Sequence, residues 1–318
     1  MSGLLLGACL LRTEAHSQVV NPADAQRPET KPEKSDTGKE AAPGQPPPPP
    51  GRLHTWELPA IQVVGESPSE LKEEDRVGTY GQPRWSTLRR FPSTRVYVAP
   101  EGKAEFEYWL RPTFSRDDGP VEVRNLLELE LGLPHRLQLD FYLRTDYEGD
   151  KEGDQEEPID STQGEWLLGQ QVELRYALAD WGVIPGNPTL YLEWVGLEQR
   201  PDKVEPKLLF GGEIAPRWHW GANLVAELEL GGEKEYEYQV TGGISYSVID
   251  MFLAVGAESI IAIVDTKEDR GEFEESFLVG PSLQLRPSER FTVNVAPLIG
   301  IGGHSPAAQV FVNVGWEL

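Results

Sequence analysis

The sequence contains one cysteine, Cys9, in 318 residues. A lone cysteine excludes an intrachain disulfide and a thiolate metal cage, and it leaves the redox compartment open. No stretch has 18 or more consecutive apolar residues, so no transmembrane helix is expected. Positive charge is scarce: 29 Lys and Arg stand against 52 Asp and Glu, for a net charge of -23. That balance argues against a nucleic-acid partner, because such binding depends on neutralising phosphates with basic side chains. A Gly-rich phosphate loop, a dinucleotide fingerprint and His/Cys metal spacing are all missing. Neither a cofactor nor a metal site is expected.

What is present divides the chain unequally. Leu4-Leu5-Leu6-Gly7-Ala8-Cys9-Leu10-Leu11, followed by Ala15-His16-Ser17, fits the tail of a signal peptide over residues 1–17, although no basic residue precedes Leu4. Leu6-Gly7-Ala8-Cys9 also resembles a lipoprotein box that would lipidate Cys9. Residues 18–57 carry PETKPEKSDTGKE and the run Pro46 to Pro50, a composition too poor in apolar side chains to repay the entropy of ordering. They read as a disordered proline-rich linker.

From Ala104 to Leu318 every second residue of successive short runs is apolar. In Arg136 to Arg144, Leu137, Leu139, Phe141 and Leu143 point one way, while Gln138, Asp140, Tyr142 and Arg144 point the other, since strand side chains alternate faces. Strands are expected near 104–114, 121–132, 136–146, 164–178, 188–198, 204–214, 217–230, 234–249, 251–264, 274–286, 290–301 and 307–318. The connections alternate between tight turns and longer acidic loops. A soluble sandwich would also alternate, but these runs cluster near the ten or so residues that cross a bilayer at a tilt. The expected fold is all-β: a transmembrane antiparallel up-and-down β-barrel of about 12 strands over 104–318, with a disordered N-terminal extension. Trp166, Trp181, Trp194, Trp218, Trp220 and Trp316 fall towards strand ends, where aromatic rings favour a membrane interface. Pro112, Pro281 and Pro297 lie inside strands on the apolar parity and mark bulges or strand ends, because proline cannot donate to a ladder.

The final run, with Val310, Val312, Val314, Trp316 and Leu318 on one face, resembles the C-terminal assembly signal of bacterial outer-membrane β-barrel proteins. Leu318 departs from the aromatic terminal residue common there, and Trp316 partly restores it. The resemblance covers about two-thirds of the chain and is architectural. It implies residence in the bacterial outer membrane, with lipid around the barrel and the barrel-assembly machinery engaging the C-terminal strand.

The inward parity carries Glu105, Glu107, Arg111, Arg124, Glu128, Glu130, Asp140, Arg144, Glu173, Arg175 and Glu193. Charges in a lumen must be paired or hydrated, so Arg111, Arg124, Arg144 and Arg175 are expected to bridge several carboxylates across strands. Two readings follow: a narrow channel or transporter for a small solute or cation, since carboxylate rings favour cations, or a filled interior that conducts nothing. The alternative function is a structural or docking protein whose N-terminal segment binds a periplasmic partner. Residues 58–103 serve either reading. Ile61, Gln62, Val63 and Val64 form a β-prone patch similar to the TonB box of outer-membrane transporters, a segment that pairs with a partner by strand addition. Pro83 to Val98, with Arg84, Trp85, Arg89, Arg90, Phe91 and Arg95, is basic and aromatic in an acidic chain; it enters the lumen as a plug or rests at the rim. Catalysis is not expected, because no nucleophile accompanies His219, which reads as an interface residue between two tryptophans. The acidic stretch Tyr147 to Gln163 does not reproduce the spacing of a calcium loop and reads as a solvated loop.

Overall fold

Each alternating run forms a strand. The structure, a computed structural model, describes residues 71–116, 119–149, 164–232, 235–265, 270–271 and 273–318, all within one compact unit. The segments read from the sequence as a signal peptide, a linker, the Ile61 to Val64 patch and the acidic loop beyond Gly149 lie outside the described residues.

The described chain opens with a 3-10 turn, Lys72–Glu74, and a two-residue hairpin in which β1 (Arg76–Val77) pairs with β2 (Gln82–Pro83). A second 3-10 turn, Arg84–Thr87, leads onward. Twelve long strands follow: β3 Ala104–Phe114, β4 Val121–Leu133, β5 Leu137–Gly149, β6 Gly164–Ala177, β7 Thr189–Leu197, β8 Lys203–Ala215, β9 Trp218–Glu229, β10 Tyr236–Ile249, β11 Leu253–Asp265, β12 Glu274–Ser288, β13 Phe291–Ile301 and β14 Ala308–Glu317. Each pairs antiparallel with its sequence neighbours. The ring closes where β14 meets β3, with Val312 opposite Leu110 and Glu317 opposite Glu105.

An even strand number puts both ends of the barrel sequence on one side, termed the inner end. The turns at Pro134–Arg136, Pro216 and Asp250 lie there, and Arg217 and Met251 adopt positive φ to make two of them. The outward parity is apolar and unburied: Leu143 keeps 67% of its surface exposed and Ile299 keeps 60%. Leaving such side chains in water would forgo about 1.5–3 kcal/mol each, so this face is built for lipid. Aromatic pairs edge the apolar band at both ends, Tyr147 with Trp166 at the outer end and Trp218 with Tyr246 and Phe291 with Trp316 at the inner. Trp181 departs from this belt; it packs against the chain inside the lumen.

Pro112, Pro281 and Pro297 mark neither bulges nor strand ends. Pairing of β12 with β13 skips from Val279↔Ile299 to Leu283↔Val295 in unchanged register, and Pro281 faces Pro297 within the gap. Two residues that each lack an N–H are thus set against one another, and the ladder loses its bonds at one place. Pro112 and Pro206 open similar gaps towards β14 and β9. The neighbouring ladders hold the strands in register through all of them.

Candidate functional site

Residues 71–103 thread the inner half of the lumen. Across the inner mouth, the Lys72 and Glu73 N–H groups donate to the Asp250 carboxylate (2.9 and 3.1 Å), Arg217 N–H donates to Glu74 Oε1 (2.9 Å), and Tyr80 Oη donates to Leu133 O (2.7 Å). Deeper in, Tyr80, Trp85, Phe91, Val96, Tyr97 and Val98 form an apolar cluster with Ala177 of the wall. Trp85 donates to Glu213 (2.9 Å) and packs against His219 with the rings tilted, centroids 4.4 Å apart. His219 therefore faces the lumen rather than the membrane interface, fully buried beneath the indole.

The wall makes room for this segment with glycine. A Cβ on Gly243 of β10 would lie 2.5 Å from Phe91 Cδ1, and one on Gly211 of β8 would lie 2.3 Å from Val96 Cγ1. Both are inward positions, and any larger residue there would collide with the inserted chain. This seat was readable in the sequence as small residues on the inward parity of β8 and β10.

Charge fastens the segment to the opposite arc. Arg89 donates to Glu107 (2.8 Å) and Glu130 (2.8 Å), lies 3.3 Å from Glu128, and rests its guanidinium 4.2 Å from the Trp109 ring centroid. Arg95 reaches Glu128 (2.6 Å) and Glu130 (2.8 Å). Lys103 reaches Glu105 (2.6 Å). On the side of the glycine seat, Ser93 donates its N–H and Oγ to Glu258 of β11 (2.8 and 2.5 Å), and Thr94 Oγ1 donates to Thr241 Oγ1 of β10 (2.9 Å). Burial alone would lower the pKa values of Arg95 and Lys103. Glu128 and Glu130 beside Arg95, and Glu105 beside Lys103, outweigh that effect and hold both above their ordinary values.

All eleven lumen residues read from the sequence face inward, but their pairing differs from expectation. Arg175 does bridge carboxylates, pairing with Glu173 and meeting Asp140 at 3.0 Å and Glu130 at 3.8 Å. Arg124 and Arg144 instead share one partner, Asp146 (3.2 and 2.5 Å). Arg111 forms no ion pair among the described residues and lies 5.6 Å from the Phe311 ring centroid. Glu193 accepts from Tyr191 (2.5 Å) with Lys207 at 3.7 Å. The cations for Glu105, Glu107 and Glu128 come from the inserted chain, because the wall strands place few of their own beside them. Tyr142, absent from the sequence-derived set, shares its O–H between Glu128 (2.6 Å) and Glu173 (2.5 Å). Its inward parity was the available signal.

Above the segment the lumen opens into a cavity of about 620 Å³. Its walls carry Arg111, Arg124, Arg144, Lys203 and Lys207 as well as Glu205, Glu227, Glu229 and Glu237, and its floor includes Arg89, Arg95 and Trp109. Beside the segment the voids shrink to about 30 and 10 Å³, room for a water or two and not for a solute. The lumen is thus an outer vestibule ending on an inner plug.

A closed twelve-strand antiparallel barrel with an apolar exterior and a charged interior defines a transmembrane β-barrel of the bacterial outer-membrane type. Its fold is similar to that of an outer-membrane channel from Pseudomonas putida F1, with TM-score 0.52 and 10% identity over 70% of this chain and 97% of that one. KdgM porin (TM-score 0.44, 11% identity, 67% and 99% covered) and the translocator domain of autotransporter NalP from Neisseria meningitidis (0.42, 8%, 68% and 88%) are more distant in shape. No protein-family profile and no curated protein matches the sequence.

Proposed function

We propose that this protein is an outer-membrane channel for a small polar solute, closed at rest by residues 71–103. The observation that carries the reading is the vestibule itself: a charged cavity of about 620 Å³ whose floor includes Arg89 and Arg95 of a separate chain segment. A barrel serving only as a structural anchor has no need of such a chamber. With the segment displaced, the inner wall would present Glu105, Glu107, Glu128, Glu130, Asp140 and Glu173 with Arg175 among them, a surface that favours cations or solutes bearing a positive group.

Arg89 and Arg95 are the fastenings whose loss should release the segment. Removing one partner of a buried ion pair costs about 3–5 kcal/mol. In planar bilayers the wild-type full chain should be mostly silent with brief openings, and Arg89→Ala/Arg95→Ala should conduct persistently with cation preference. A double variant that folds and stays silent would favour the non-conducting docking protein instead.

A further inference from the structure

Most charges lining the vestibule are neutralised by a close neighbour. Arg124 and Arg144 share Asp146, Lys203 reaches Glu227 at 2.6 Å, and Lys207 pairs with Glu205. Arg111 on β3, Glu229 on β9 and Glu237 on β10 stand apart: none of the three forms an ion pair among the described residues. Arg111 lies against the Phe311 ring, with Arg144 and Asp146 near it but in no ion pair with it, Glu237 accepts a hydrogen bond from Gln239 Nε2 (2.8 Å), and Glu229 accepts a long one from Glu235 N–H (3.4 Å). In the closed ring β3 lies halfway round from β9, with β10 next to β9. Among the described residues the cavity therefore carries a guanidinium outside any ion pair on one wall and carboxylates outside any ion pair on the facing wall.

A lone cation would leave Arg111 unmatched, and a lone anion would leave Glu229 and Glu237 unmatched. A solute with both charges satisfies both walls at once. We propose that the vestibule is a binding site for a small zwitterion, with its carboxylate on Arg111 and its ammonium on Glu237 and Glu229. Two residues at roughly 3.3–3.6 Å each give a dipeptide a charge separation of about 7 Å, to which the long side chains of Arg111, Glu229 and Glu237 add their own reach. The cavity volume falls within the roughly 300–1,000 Å³ common for small-molecule sites. This inference rests on reading the vestibule as the entry chamber of a channel, but binding is measured with the plug in place. A barrel that binds and never conducts would overturn passage and leave the site standing.

The experiment is calorimetric titration of the refolded full-length barrel in detergent with three probes: dialanine, N-acetyl-dialanine and dialanine amide. Dialanine should bind about tenfold or more tighter than either capped form, since loss of one charged contact is worth at least about 1.4 kcal/mol. Arg111→Gln should weaken dialanine and acetyl-dialanine and spare the amide, and Glu237→Gln should weaken dialanine and the amide and spare acetyl-dialanine. The comparison among probes on the wild type needs no variant, so a misfolded variant does not block the test. Equal binding of the amide would reduce the site to a cation site, equal binding of acetyl-dialanine to an anion site, and no binding of any probe would remove it; each result overturns the proposal.

Discussion

Arg95 Nη2 lies 2.6 Å from Glu128 Oε1 at the floor of the vestibule. The contact ties a segment outside the wall to the most heavily engaged carboxylate of the lumen, which also receives Trp109 Nε1 at 2.7 Å and Tyr142 Oη at 2.6 Å and lies 3.3 Å from Arg89. Glu128 is fully buried. Its oxygens are engaged by partners from two separate parts of the chain, the barrel wall and the inserted segment.

Glu128→Gln keeps the shape of the side chain and removes the charge that Arg89 and Arg95 share. The segment should be held less tightly, and trypsin should cut the folded barrel at Arg89, Arg90 or Arg95, where the wild type resists. Mass spectrometry of the digest reads the outcome; unchanged resistance would mean that the apolar cluster alone retains the segment.

Gly243→Val tests the seat from the opposite wall. The added side chain meets Phe91, whose Cδ1 lies 2.5 Å from the new Cβ position, and the inserted chain must yield before the barrel does. Protease sensitivity at the inserted arginines should rise in a barrel that still migrates as folded on a detergent gel. Gly303→Ala, with no atom within 4 Å of the new Cβ, should behave as wild type.

The pH dependence follows from Lys103. Its folded-state pKa is raised, against the lowering effect of burial, chiefly by Glu105. Its contribution is therefore complete below the unfolded value of about 10.4 and is lost as the pH rises through the higher folded value. Protection of the segment should persist from neutral pH to about pH 10 and fall above it. Lys103→Met should weaken protection at neutral pH and remove the alkaline step in a pH series of limited digestion.

Pro297→Ala supplies an N–H opposite Pro281, where the β12–β13 ladder has none. One restored hydrogen bond is worth about 0.5–1.5 kcal/mol, so the urea midpoint of unfolding should rise. A fall would show that the proline rings contribute more through packing than the missing bond costs.

Much of the barrel was legible because its two faces meet different media, and a period of two records that contrast directly. The same parity placed Glu107, Glu128 and Arg175 in the lumen. Their partners were harder to read, because pairing depends on which side chains share a level round the ring. Arg124 and Arg144 converge on Asp146 through strand register, which alternation does not specify. The prolines misled for a related reason: Pro281 and Pro297 each look like a fault in a single strand, and only their alignment across two strands shows one shared gap. The fate of Arg89 and Arg95 was left between lumen and rim, since nothing local distinguishes a basic segment that enters an acidic barrel from one that rests on its edge.

The most direct test of the plug is to fix it in place. Thr94 Oγ1 and Thr241 Oγ1 are 2.9 Å apart, close enough for cysteines at both positions to meet disulfide geometry. Single-channel current should be measured on Thr94→Cys/Thr241→Cys in a Cys9→Ser background, oxidised and then reduced in the same bilayer. We predict silence while the disulfide holds and openings once it is reduced; identical currents in both states would contradict a lumen gated by residues 71–103.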